Sequence, residues 1–110
     1  MDSRLIYAAS ERMTSHIVWT KETETEWIYF GADKDVNLEK VSKIIDGHFS
    51  ESILLVCWTR QGSFETNKDD ILITTRNILG YHDFVIWNSS FDHAIEFNKI
   101  GVLRCGQVGS

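Results

Sequence analysis

The sequence predicts an α/β domain over residues 1–110, built as a mainly parallel sheet of about four to five strands with three helices and an N-terminal antiparallel strand. Strand-like and helix-like segments alternate along the chain, which implies crossover connections between parallel strands. Two runs, "SILLVCW" (52–58) and "DFVIWN" (83–88), are apolar without alternation, as strands covered on both faces are. The chain has no proline, and its seven glycines fall mostly where elements should stop, at Gly31, Gly47, Gly62, Gly80, Gly101 and Gly106.

Arg4 to Arg12 reads as one or two turns of helix. "HIVWT" (16–20) and "EWIYFGA" (26–32) are β-rich and flank the polar run "KETETE" (21–26), so they read as a hairpin or as two strands joined by a short loop. From Asp35 to Gly47 the period becomes helical, with Leu38, Val41, Ile44, Ile45 and His48 on one face. Asn37 or Asp35 can cap its start, because a short side-chain oxygen accepts an orphan amide. After the 52–58 strand, Thr66 to Leu79 reads as the clearest helix, with Thr66 and Asp69 as a capping box and Gly80 beyond its end. After the 83–88 strand, Ser89 or Ser90 caps a short helix through Glu96. "IGVLRC" (100–105) is the last strand, and Gly101 and Arg104 suit an edge. The order is β-β-α-β-α-β-α-β.

With 110 residues, 43% of them hydrophobic, the chain can build an ordinary core without a metal or a disulfide. Cys57 and Cys105 lie in apolar runs and suit free thiols in a reducing compartment; a bridge between them needs neighbouring strands. No apolar run approaches the roughly 18 residues of a membrane span. The apolar stretch at the N-terminus is too short for a signal peptide, and the chain reads as cytoplasmic. A net charge of −5 argues against direct nucleic-acid binding, which needs a basic face, and suits a basic protein partner.

Catalytic signatures are lacking. There is no Gly-x-Ser-x-Gly elbow, phosphate loop or dinucleotide-type glycine cluster. His16, His48, His82 and His93 lack metal-ligand spacing, so neither a metal nor a cofactor is expected. Cys57 sits in an apolar strand, where a thiol stays protonated. Asp69, Asp70, Glu22, Glu24 and Glu26 read as solvated charge and helix N-terminal acids.

In an open parallel sheet, ligands bind at the rim formed by the C-terminal strand ends. That rule collects Asp33, Asp35, Trp58, Arg60, Glu65, Trp87, Asn88 and Asp92 as candidate partner-binding residues. "VCWTRQGSFE" (56–65) and "VIWNSSFD" (85–92) echo one another: each strand ends in Trp, and polar residues, Ser, Phe and an acid follow. Both read as strand-to-helix turns lying side by side at that rim.

The stretch "ILLVCW…LGYHDFVIWNSSFDHAIEFNKIGVLRCG", within residues 27 to 106, resembles small bacterial immunity proteins encoded near polymorphic toxins. The strand–Trp–polar–Phe pattern and the "AIEFNKIGVLR" tail carry the resemblance. It implies a small, acidic, cytoplasmic, non-enzymatic protein that binds a cognate protein toxin and occludes its active site, with an α/β layout similar in kind to that of barstar. Acids and aromatics would then face a basic cleft. Two alternatives stand beside it. One is a ligand-binding domain or small enzyme at the same rim, with His82, Asp83, Asp92 and His93 for acid–base work. The other is a homodimer paired through the "VLRCG" edge strand.

Overall fold

Short turns, rather than long crossovers, make three of the connections between consecutive strands. A computed structural model describes residues 1–21 and 26–109. Three helices, α1 (Ser3–Thr14), α2 (Leu38–His48) and α3 (Ile71–Thr74), accompany seven strands. The strands are β1 (Ile17–Trp19), β2 (Ile28–Tyr29), β3 (Ile53–Cys57), β4 (Phe64–Asn67), β5 (Phe84–Asn88), β6 (His93–Asn98) and β7 (Val102–Val108). Their order is β1-β7-β6-β5-β3-β4, with β2 also on β7. Every pairing is antiparallel, which overturns the mainly parallel sheet expected from the sequence.

Two misread segments account for that correction. Phe64–Asn67 has period-2 burial, with Thr66 inward and Glu65 and Asn67 outward, and it pairs with β3 instead of opening a helix. Only Ile71–Thr74 of the expected 66–79 helix is α-helical. The expected helix from Ser89 to Glu96 is instead a turn followed, from His93, by strand β6, which pairs with both β5 and β7. Asn88 explains the misreading. Its Oδ1 accepts from the amides of Asp92 and His93, 3.0 Å each, and Phe91 adopts φ 55°. A polar side chain that would cap a helix here closes a hairpin. The other echo does the same: Ser63 N donates to the Thr59 carbonyl (3.2 Å) and Gly62 N to Thr59 Oγ1 (2.7 Å), turning β3 back into β4.

Other expectations hold more closely. Asn37 caps α2, its Oδ1 accepting from Lys40 N at 3.1 Å, and Asp2 caps α1 through Leu5 N at 3.0 Å. Each such cap stabilises its helix by roughly 1 kcal/mol. β1 and β2 do not form a hairpin with each other. They lie end to end along β7, Ile17–Trp19 opposite Val108–Gly106 and Ile28–Tyr29 opposite Leu103–Val102. β7 is therefore paired on both sides, not the edge strand expected of "VLRCG". Gly101 turns the chain into β7 at φ +100°, and a Cβ there would come within 2.9 Å of the Gly31 backbone.

Helices cover both faces of the sheet, so the apolar runs of β3 and β5 were correctly read as doubly covered. On one face, Val41 and Ile45 of α2 and Ile71 of α3 pack with Leu54, Val56, Ile86, Ile95, Phe97 and Leu103. Phe84 stacks on Phe97 with centroids 4.6 Å apart. On the other face, Ile6 of α1 packs with Leu55, Cys57, Trp87 and Ala94. Trp87 Nε1 donates to Ser10 Oγ (2.8 Å), which satisfies the buried indole. Cys57 and Cys105 are not joined in a disulfide. Among the described residues, no helix is long and apolar enough to cross a membrane.

Candidate functional site: an acidic, aromatic groove beside α1

Among the described residues α1 is the one helix on its face, and its contacts lie over the middle of β3, the end of β5 and the start of β6. Toward the other end of the same strands the sheet surface becomes the floor of a groove of about 350 Å³. Tyr7, Ser10, Glu11 and Thr14 of α1 form one wall, at the spacing that puts side chains on a single helix face. Trp27 and Trp58 also line it, with Asp83, Val85, Glu96 and Asn98. The volume lies at the lower end of small-ligand and side-chain sites, which run from about 300 to 1,000 Å³.

Both tryptophans are fixed before anything binds. Trp58 Nε1 donates to the Gly62 carbonyl (2.7 Å), and its ring lies 5.4 Å from that of His82. A Cβ on Gly62 would sit 2.8 Å from Trp58 Nε1, so glycine is what lets the indole lie over the turn. Trp27 is held by Arg104, whose guanidinium carbon lies 4.5 Å from the Trp27 ring and 3.9 Å from that of Trp19. The same guanidinium binds Glu96 through Nε (2.8 Å) and Glu26 through a terminal nitrogen. Arg104 is 20% exposed, so this cation–π and ion-pair cluster is substantially desolvated and correspondingly strong. Glu26 was expected to be solvated charge, and this contact corrects that. Glu22 and Glu24, read in the same way, lie outside the described residues.

The groups facing the groove divide into committed and uncommitted ones. Ser10 Oγ accepts from Trp87, Thr14 Oγ1 donates to the Ser10 carbonyl, Asn98 Oδ1 accepts from Ile100 N, and Glu96 holds Arg104. Glu11 and Asp83 make no ion pair among the described residues. Asp83 accepts one bond, from the Lys99 amide at 2.8 Å. The groove therefore carries uncompensated negative charge against aromatic surface, which is the chemistry that receives a cation.

A second polar cluster lies at the opposite end of the strands. Asn88 is fully buried and donates to Glu51 Oε1 (3.1 Å) and to Asp92 Oδ1. Asp92 Oδ1 also meets His93 Nδ1 at 2.9 Å. The Asn88 and His93 contacts hold the Asp92 carboxyl below the usual carboxylate range. His48, at the end of α2, donates from Nε2 to the Gly106 carbonyl (3.0 Å), with its ring 5.5 Å from that of His93. Burial is the main cause that pushes the His48 pKa below that of a free imidazole, and the charge His93 can carry adds to it. Among the described residues, no cluster of His, Cys, Asp and Glu has the arrangement of a metal site.

The residues singled out from the sequence do not share one rim, because β3 and β5 run antiparallel and their C-terminal ends point opposite ways. Cys57 pairs with Val85, while Asn88 pairs with Leu54. Asp33, Asp35, Trp58 and Arg60 lie toward one end: Asp33 N donates to the Gly80 carbonyl, and Trp58 meets His82. Trp87, Asn88 and Asp92 lie toward the other. Glu65 is on edge strand β4, where it pairs with the N-terminal amine at 3.2 Å. Trp87 and Asn88 are both 0% exposed and serve the interior. Trp58 alone of the eight lines the groove. Of the acid–base candidates, His82 and Asp83 fall at the groove end, and Asp92 and His93 at the far end. Sequence reading missed Tyr7, Glu11, Trp27 and the Arg104 cluster. The i, i+3, i+4, i+7 spacing of Tyr7, Ser10, Glu11 and Thr14 was the available signal.

Comparison of the chain with protein-family models, with curated proteins and with solved structures found no match.

Proposed function

We propose that the chain is a cytoplasmic, non-enzymatic binding protein: an immunity protein that captures a cognate toxin and occludes its active site. One observation carries the reading. Glu11 and Asp83, without ion pairs among the described residues, stand beside Tyr7, Trp27 and Trp58 around a groove. Pre-positioned aromatics anchor protein interfaces, and unpaired carboxylates draw a basic partner by lowering the electrostatic cost of encounter. The acidic net charge of −5 acts in the same direction at longer range. In this reading the recognition surface moves from the strand rim expected at first to the α1 face, and Trp58 belongs to both.

Co-expression with the product of the neighbouring reading frame tests the reading. Growth protection and a complex that survives size exclusion are the expected results. A toxic product that stays toxic, with no complex formed, overturns it. Charge reversal by Glu11→Lys and Asp83→Lys should weaken capture in low salt more than in high salt, since rim charges act mainly on the association rate. Capture unaffected by that reversal would remove the groove from the interface.

A further inference from the structure

We propose that the groove receives one arginine side chain of the partner protein, stacked between Trp58 and Tyr7 and forked onto Glu11 and Asp83. This rests on the binding-protein reading above and specifies its central contact. Three observations converge on a guanidinium. The groove is lined by aromatic side chains together with carboxylates, and an apolar ligand would leave the carboxylates desolvated and unpaired. Glu11 and Asp83 make no ion pair among the described residues, and Asp83 accepts only the Lys99 amide, whereas the hydroxyls of Ser10 and Thr14 already bond within the fold. Finally, the fold solves the same recognition problem next door. Trp27 and Glu96, which both line the groove, hold Arg104 by stacking and by a charge-assisted bond from Nε.

Arginine fits better than lysine for physical reasons. A guanidinium is planar and weakly hydrated, so it stacks on indole and phenol rings and presents parallel N–H donors to carboxylates. An ammonium keeps its water more tightly and offers no flat surface. Asp83 retains acceptor capacity after taking the Lys99 amide, because a carboxylate has about four lone-pair sites. Glu96 does not complete the site, since Arg104 already occupies it.

The test uses the isolated full-length chain and a defined probe, N-acetyl-arginine methylamide, followed by NMR at the indole N–H groups and the tyrosine rings. The expected result is saturable binding of order millimolar, with shifts concentrated at Trp58, Trp27 and Tyr7. Glu11→Gln with Asp83→Asn should weaken it about tenfold, and raising the salt should weaken it further. The blocked lysine should bind several-fold more weakly, and the uncharged blocked citrulline should give no saturable shift. Citrulline binding as tightly as arginine overturns the proposal, as does affinity unchanged in the folded double variant. So does saturation confined to residues outside the groove. Toxin is absent from this experiment, so the two proposals fail separately. Arginine bound without growth protection ends the immunity reading, and protection without arginine binding ends the arginine site.

Discussion

Under α2 and α3 the sheet presents Leu54, Val56, Ile86, Ile95, Phe97 and Leu103, each at most 1% exposed. Under α1 the same strands present Leu55, Trp87 and Ala94 and then pass into Glu96, Asn98 and Arg104. Alternation forces every strand to contribute to both faces, so the two differ because the residues at odd and even positions differ. On β3 and β5 the α2 face is apolar up to the buried Asn88, and the α1 face carries Leu55, Cys57, Val85 and Trp87. On the α1 side charge enters from β6 and β7, at Glu96 and Arg104, and from α1 at Glu11. The larger core and the candidate groove thus lie on opposite sides of β3 and β5, strands of five residues each.

The largest expected effect tests the apolar side. Leu54→Ala should cost about 3 kcal/mol, the transfer term plus the cavity left in a core that cannot collapse around it. Urea unfolding followed by tryptophan fluorescence measures this. Val85→Ala, on the groove floor and half-buried, should cost under about 1 kcal/mol, because solvent already reaches the site. Equal costs at the two positions would break the contrast between the faces.

Arg104→Ala comes next, at about 2 kcal/mol, because it strands Glu96 and Glu26 at a partly desolvated position and removes packing from two indoles. Arg104→Lys should recover only part of that loss, since an ammonium cannot stack and fork together. The same variants should shift tryptophan emission, to which Trp19 and Trp27 contribute two of the four indoles. If Arg104→Lys behaves as wild type in both measurements, the cluster is a simple charge pair and the groove wall does not depend on it.

How much of this the sequence disclosed depended on the range of the interaction involved. Local signals survived: Asn37 at the start of α2, the helical stripe of Val41 and Ile45, and the double coverage of "ILLVC" and "FVIWN". Strand direction did not, because burial on both faces reports how many layers there are and says nothing about which way the neighbouring strand runs. The polar stretches after Trp58 and Trp87 were read as strand-to-helix turns, with Ser89 or Ser90 as a cap, but Thr59 and Asn88 close hairpins there, since a side-chain bond of this kind can open a helix or close a hairpin. Once the strand direction was wrong, the rim built from it placed Trp58 and Asn88 together, although the register puts them at opposite ends of the sheet. The Arg104 cluster joins residues from three distant stretches, and a single sequence gives no local sign of that.

A pH dependence separates the two ends of the strands. Because burial lowers the His48 pKa from its ordinary 6.5, the unfolded chain takes up the proton at a higher pH than the folded one does. The His48 contribution to stability is therefore complete above 6.5 and is lost as the pH falls through the folded pKa. Asp92, lowered from 3.8, adds a second loss only below that value. Urea midpoints should fall between pH 7 and pH 5, and His48→Gln should flatten that slope while leaving the acid limb. A slope that survives His48→Gln would assign the titration elsewhere.

The smallest effect is the most discriminating one. Glu11→Gln combined with Asp83→Asn should change unfolding by no more than about 0.5 kcal/mol, as surface changes away from any partner do. Asn at position 83 keeps an oxygen that accepts from the Lys99 amide, so the bond at the turn into β7 is weakened but not lost. Removing two uncompensated negative charges from one groove relieves repulsion, so any change should be toward higher stability and should shrink as salt rises. The outcome to look for is a protein as stable as wild type that has lost its hold on a guanidinium. Groups retained at no benefit to folding then account for binding. A clear loss of stability would instead make Glu11 and Asp83 part of the scaffold, and the α1 face would differ from its opposite in composition alone.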